Sequence, residues 1–383
     1  MNVTSIALEN FRNYQTLEAH FSPDINVICG ENAQGKTNLL EAIAYLSTAR
    51  SHRTRFDREL ISFDAKTAHI QADLTAHGRP FTLEAVLHRG SRRQIRANGV
   101  PLKTVSELSG LLHTVLFCPE DLSLIRAGAA ARRRFLDDCI CQLRPKYAAA
   151  LTEYRRVYEH KTSILRDWRE KPSLLEPLEE FNYRMAETGA LLIFYRASFL
   201  RLLSARVAEI HRDFSGHREH MCLRYQTVRT VTDPQAPVKT LLPQLLEHQQ
   251  SHRQAELEAG ICLSGPHKDD LLVEIDGQAA RQFASQGQTR TAALSLKLGA
   301  REIFYQDTGE WPVLLLDDVL SELDSRRRDF VLRRIEGGQV FITCCEETGL
   351  EGTGKTFHVQ NGAVTAVPST RAATAMSPKG SST

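Results

Sequence analysis

The sequence predicts a mixed α/β fold organised around a phosphate loop, with an α-helical lobe inserted into it. Three observations carry that expectation. Residues 30–37 read Gly-Glu-Asn-Ala-Gln-Gly-Lys-Thr, a complete G-x-x-x-x-G-K-[ST] loop. Residues 312–318 form a short apolar run that ends in two acids, Asp317 and Asp318. Between them lies a long stretch whose apolar residues recur at helical spacing.

The loop sits where its chemistry needs it. Asn26-Val27-Ile28-Cys29 before it is a β-type run, and Leu39, Ile43 and Leu46 after it share one helix face. Strand, glycine loop and helix start then aim backbone N–H groups and a positive helix end at one point, which suits a polyphosphate. Gly30, Glu31, Asn32, Ala33, Gln34, Gly35, Lys36 and Thr37 are therefore expected to hold a nucleoside triphosphate. Lys36 would reach the β/γ-phosphates and the Thr37 hydroxyl would ligate Mg²⁺. The bland alternative is a Gly-rich turn with an exposed lysine.

Composition narrows the classes. The chain has 383 residues, 42% hydrophobic and 25% charged, as in ordinary globular proteins. No apolar run reaches the ~18 residues of a membrane helix, so no membrane partner is expected. A net charge of +2 leaves no global basic field, and any nucleic-acid contact must come from local patches. The eight cysteines include no C-x-x-C and no zinc spacing, and the N-terminus has no signal pattern. Reduced thiols and a cytoplasmic location are the expectation.

Taken in order, Met1 to about Ile125 reads as mixed β with one helix. Ser5–Phe11 partly alternates; 81–87 and 93–102 look like strands, with turns at Arg89-Gly90-Ser91 and Asn98-Gly99. From Ala130 to about Gly216 long helices take over. Tyr147, Leu151, Tyr154, Tyr158, Lys161, Leu165 and Trp168 recur at alternating spacings of four and three. After Pro172 and Pro177, the series Leu178, Phe181, Met185, Thr188, Leu192, Tyr195, Phe199 and Leu202 does much the same. These seams predict an antiparallel helical hairpin with arms of roughly 35 Å, or else two ordinary amphipathic core helices. From Ile261 the chain returns to α/β character, and the Ser/Thr/Ala/Gly-rich stretch 368–383 is expected to be disordered. The expected domains are 1–125 with the phosphate loop, 126–258 as the inserted helical lobe, and 259–367 as the second part of the nucleotide-binding core.

The acids complete the nucleotide reading. A buried parallel strand carries its acid at the C-terminal end, beside the phosphate loop. Asp317 is assigned to Mg²⁺ and Asp318 to orienting or deprotonating an attacking water. Ahead of them, Ser285-Gln286-Gly287-Gln288 opens an apolar helix at 292–303; Ser285 can cap it, and Gly287 lets backbone approach a phosphate.

At that position Ser285–Gln288 resembles the signature motif of ABC-type ATPases, and Ser321-Glu322-Leu323-Asp324 resembles their D-loop. Together with the phosphate loop and the blocks 8–14, 117–122, 132–137 and 264–270, the chain from residue 3 to 347 resembles the RecF family. These are bacterial recombination mediators related to the ATPase heads of SMC proteins. The resemblance implies an ABC-type P-loop ATPase head, ATP and Mg²⁺ as cofactors, and an ATP-dependent homodimer. Within it Ser285, Gly287 and Gln288 would cap the γ-phosphate held by the second subunit, Asp324 would serve the D-loop, and Arg12 would contact phosphate in its own subunit or lie on the surface. It further implies DNA binding at single-strand gaps, RecR and RecO as partners, and roles in recombinase loading, repair, replication restart and SOS induction. An SMC-like structural ATPase and an ABC transporter subunit are the alternatives.

Three departures from the ABC pattern predict slow hydrolysis. Asp318 stands where Glu is usual, no Gln closely follows 117–122, and no switch His follows 339–345. The block 265–270 is expected to be a turn before a strand. Basic clusters fall at 50–55, at Arg89/Arg92/Arg93/Arg96 and at 126–134. Given the resemblance, Arg50, Arg53, Arg55, Arg132, Arg133 and Arg134 are the expected contacts to DNA phosphates.

Overall fold

The computed structural model describes residues 1–345 and 354–367, and the expected disordered tail lies outside them. The chain divides into two compact units. One comprises residues 1–46, 50–101 and the chain from 312 onward; the other comprises 47–49 and 102–311. The dividing points are thus 101/102 and 311/312, whereas the sequence suggested 125/126 and 258/259.

The first unit contains two sheets. Six antiparallel strands run in the order Tyr14–His20, Asn2–Phe11, Thr67–Ala76, Arg79–His88, Gln94–Ala97 and Val100–Pro101. Their alternation buries Val3, Ile6, Leu8, Ile70, Ala72, Leu74, Leu83 and Ala85 on one side. The second sheet holds the nucleotide elements. Strand Ile25–Cys29 lies between Val340–Cys344 and Lys355–Gln360, parallel to both. Val313–Asp317 pairs in parallel with Val340–Cys344, and Ala363–Ala366 closes the other edge antiparallel. Every residue of Val313–Asp317 is buried, as an unbroken run of Val and Leu dictates for a strand covered on both faces.

The second unit is mainly helical. Helix Pro145–Asp167 runs antiparallel to Leu178–Ser215: Tyr147 meets Tyr195 and Arg196, Glu153 meets Arg184, and His160 meets Phe181. The hairpin is therefore real, but it is a core element and not a projecting coiled coil. Leu178–Ser215 buries Ala186, Ile193, Ala197, Leu200 and Leu203 as well as Leu178, Met185, Leu192 and Phe199, a stripe wider than a two-position seam. It packs also on Val238–Ala259 and Gln286–Thr308. The contact with the latter is close: a Cβ at Gly299 would sit 3.0 Å from Val207 Cγ2. That packing draws 286–308 into the helical unit.

The same unit carries the sheet Gln278–Ala279, Asp270–Ile275 and Met221–Gln226. The block before Asp270 forms the expected turn, a 3₁₀ helix at Pro266–Lys268, and it binds the unit together. Arg196 donates to Pro266 O at 2.8 Å, Arg133 to Asp269 O at 2.6 Å and Tyr225 Oη to the Asp269 carboxylate. Arg132 grips Asp270 through two bonds of 2.8 Å.

Candidate nucleotide site

The phosphate loop is fixed by two neighbouring side chains outside the motif. Asn13 Nδ2 donates to Gln34 O at 2.7 Å, and Tyr14 Oη donates to Gly35 O at 2.9 Å. Burial pushes the Tyr14 phenol well above its ordinary pKa, so it remains a donor. Gly35 has φ +122°, and a Cβ there would meet Asn13 Nδ2 at 2.7 Å. Gly30 has φ +155°, and its Cβ would lie 2.3 Å from Val359 O. Only glycine fits both positions, and the backbone is thereby held close to whatever fills the loop.

Lys36 begins the helix Lys36–Thr48. Its ammonium folds back on the loop, 2.5 Å from Gly30 O and 2.9 Å from Glu31 O. Those carbonyls hold the ammonium inside the curve of Gly30–Gly35, in reach of an anion placed there. Thr37 Oγ1 donates to Asp317 Oδ1 at 2.9 Å, which puts the two oxygens expected at Mg²⁺ side by side. Hard oxygen donors at the mouth of a phosphate loop fit that cation.

Thr343, on the strand beside Asp317, joins the acids. Its hydroxyl donates to Asp317 Oδ1 at 2.9 Å and accepts from Asp318 N at 2.8 Å. Asp318 has φ +52°, a left-handed conformation that Asp tolerates better than most residues. Ser321 Oγ holds its carboxylate at 2.9 Å. The strand thus ends in a sharp turn that leaves Asp317 buried and Asp318 partly open. Where a switch His would follow the next strand stands Cys345, whose thiol donates to Asn32 Oδ1 at 3.1 Å and lies 3.8 Å from Lys36 Nζ.

Arg12 faces the helix and not the loop. Its Nε and Nη2 bind both oxygens of buried Glu41, at 2.9 and 2.8 Å, and Nη1 donates to Glu59 O at 3.0 Å. Three of its five donors are so engaged. Burial alone raises the Glu41 pKa, but hydrogen bonds from Arg12 and Ser51 outweigh it and keep the carboxyl below its ordinary value.

In the helical unit Ser285 caps helix Gln286–Thr308 in a reciprocal box: its Oγ accepts from Gln288 N at 3.2 Å, and Gln288 Oε1 accepts from Ser285 N at 2.8 Å. Ser285 is exposed, and its hydroxyl proton is not used by the cap. Two residues outside the motif steady this corner, Arg126 from the basic cluster at 126–134 and Glu219, which nothing in the sequence singles out. Arg126 Nη2 donates to Ala284 O at 2.7 Å, and Glu219 accepts from Gln288 Nε2 at 3.0 Å. Glu219 also meets His211 Nε2 at 3.0 Å; burial lowers the His211 pKa, and Glu219 opposes that only in part. Asp324 caps helix Ser325–Arg334, accepting from Arg327 N at 2.9 Å.

The basic clusters need correction. Arg132 was expected on DNA, yet its side chain is 3% exposed and is committed to Asp270 and to the carbonyls of Ile125 and Ala127. A guanidinium so buried and paired cannot meet a phosphate. Arg133 is half-buried on Asp269 O, and Arg93 binds Asp57 at 2.7 Å. Arg50, Arg53, Arg55 and Arg134 are exposed, although Arg53 Nη1 also donates to Asn38 Oδ1 at 2.7 Å.

This geometry agrees with what the chain is similar to. The RecF/RecN/SMC N terminal domain family matches residues 2–365. The DNA replication and repair protein RecF of Listeria monocytogenes is 40% identical over 374 residues, covering 95% of this chain and 99% of that relative. The chain belongs to the RecF family. A solved structure of the recombination mediator protein RecF-ATP in the RecFOR pathway is 34% identical, with TM-score 0.89 over 96% of this chain and 97% of the other. An Smc head domain from Pyrococcus furiosus, 16% identical, shares the fold at TM-score 0.53 over 95% of each chain. The architecture of this RecF-family chain is therefore that of the ABC-type ATPase heads, mixed sheets with helices, as the sequence predicted.

Proposed function

We propose that the chain is an ATP-switched DNA-binding protein of the RecF type. The observation that carries this reading is the hydrogen-bonded group of Thr37, Asp317 and Thr343 beside the Lys36 loop. Lys36 and the backbone N–H groups of 30–37 bind the triphosphate, ATP by likeness to the relative described with ATP. Thr37 and Asp317 hold Mg²⁺, which when bound offsets phosphate charge. Asp318 orients water, and Thr343 positions both acids. The Asp in place of Glu and the missing switch His make turnover slow, so that ATP acts as a clamp signal.

Ser285, Gly287 and Gln288 close over the ATP of a second copy, and Asp324 lines the same interface. The dimer then grips DNA at single-strand gaps through exposed arginines, of which Arg50, Arg55 and Arg134 are the best placed. RecR and RecO are the proposed partners, and recombinase loading, repair and SOS induction the proposed roles.

Lys36→Met tests the site. Loss of charge-assisted bonds to phosphate should weaken ATP by roughly tenfold to hundredfold and remove any ATP-dependent DNA affinity, with the fold intact by circular dichroism. Wild-type ATP affinity in the variant would overturn the assignment.

A further inference from the structure

Phe63 is 99% exposed, the most exposed of the large hydrophobic side chains among the described residues. Single exposed apolar residues are common and need no explanation. Here, however, the backbone beneath the ring is fixed. Arg89 donates to Ala65 O at 2.7 Å through Nε and to Ser62 O at 2.8 Å and Phe63 O at 3.1 Å through Nη2. Ala65 N closes the turn on Ser62 O at 3.0 Å. Ser62 is itself bound at both ends: its N donates to Asn10 O at 2.9 Å and its Oγ to Arg12 O at 2.7 Å. Through Arg12 the turn is joined to Glu41 on the phosphate-loop helix.

The same segment displays a second ring. Phe56 is 46% exposed, with the guanidinium carbons of Arg55 and Arg58 at 5.6 and 4.8 Å from its centroid. Aromatic faces with arginines beside them on one segment match the chemistry of unpaired nucleotides, each of which has a base with a π-face and a phosphate. Exposed Asp64, next to Phe63, repels phosphate at the turn, so the ring there suits a base and the arginines around Phe56 suit the backbone.

We propose that Phe63, held by the Arg89-clamped turn, stacks on an unpaired base of bound nucleic acid, with Phe56 and its two arginines engaging the adjoining nucleotides. This rests on the DNA-binding reading above and adds the feature recognised, an unstacked base.

The experiment compares wild type with Phe63→Ser and Phe63→Trp. Binding is measured with ATP on gapped DNA, on the same sequence fully paired, and with 2-aminopurine in the gap. Because Phe63 packs on nothing, the serine variant should fold normally. It should lose roughly tenfold on gapped DNA, with unchanged affinity for duplex, an unchanged salt slope and no quenching of 2-aminopurine, while the tryptophan variant keeps the wild-type affinity, salt slope and quenching. Equal binding of gapped DNA by wild type and the serine variant overturns the stacking role and leaves the DNA reading standing. No DNA binding by wild type removes both. Loss of ATP-dependent dimers by sedimentation in the serine variant, with equal loss on gapped and paired DNA, overturns stacking in favour of a protein interface.

Discussion

Around the phosphate loop the ordered polar side chains are mostly short: Thr37 and Thr343 each donate one hydrogen bond to Asp317, and Lys36 rests on backbone carbonyls. The helical unit is held by long charged groups in its interior. Arg196 and Asp137 are 4% and 6% exposed and 2.8 Å apart, with Asp269, Tyr147 and Tyr225 completing the network. Lys161 and Glu256 form a second buried pair at 2.6 Å. The difference is one of exchangeability. Ligand oxygens can replace the carbonyls around Lys36 at little cost, whereas no solvent can replace Asp137 around Arg196. The first arrangement suits a site that fills and empties, and the second a scaffold that keeps one shape.

The largest test is Arg196→Met. It leaves Asp137 and Asp269 in the interior without their main counter-charge, and should cost about 3–5 kcal/mol in chemical denaturation. A loss below 1 kcal/mol would show that the network is as replaceable as the loop contacts.

His267 gives a pH arm of nearly the same size. Burial lowers its pKa to about 4, and the ring is held neutral, with Tyr154 Oη at 2.7 Å from Nδ1 and Cys262 O at 3.2 Å from Nε2. Its folded value lies below the unfolded one, near 6.5, so the unfolded chain binds more protons between those limits. The stability it contributes is present above pH 6.5 and is lost as pH falls toward 4, on the order of 3 kcal/mol in all. His267→Gln, compared with wild type across that window, should remove this part of the slope. Parallel slopes would place the titration elsewhere.

The smallest stability effect is expected at the site. Thr343→Val deletes two hydrogen bonds and should cost about 1–2 kcal/mol. It should leave ATP affinity nearly unchanged but slow phosphate release, because Asp317 and Asp318 lose their common anchor. Unaltered turnover would mean that the turn at Asp318 holds itself.

What was legible in the sequence was what local chemistry dictates. The loop 30–37, the strand before it, the Ser285 cap and the apolar run into Asp317 each depend on neighbours a few residues away. Arg132 was misread because a run of arginines looks alike whether it meets water or Asp270, and only the fold brings Asp270 to it. Thr343 was hidden inside the run Val340–Cys344, where β-branched residues are expected for packing alone. Strands Thr67–Ala76 and Met221–Gln226 carry several polar residues and announce themselves only through the partners they pair with.

The central position of strand Ile25–Cys29 also sets an order of events. Both of its neighbours come from the far end of the chain, at Val340–Cys344 and Lys355–Gln360, while the helical unit is complete by residue 311. On a ribosome, where domains fold as they emerge, the strand that leads into the phosphate loop is made among the first and paired among the last. Closing so long a loop adds little to the equilibrium cost but delays the contact, so the nascent chain presents Val27 and Ile28 unpaired until synthesis is nearly finished. A chain cut short before Val340 would contain every residue of the loop, yet the strand that leads into it would lack both of its parallel neighbours.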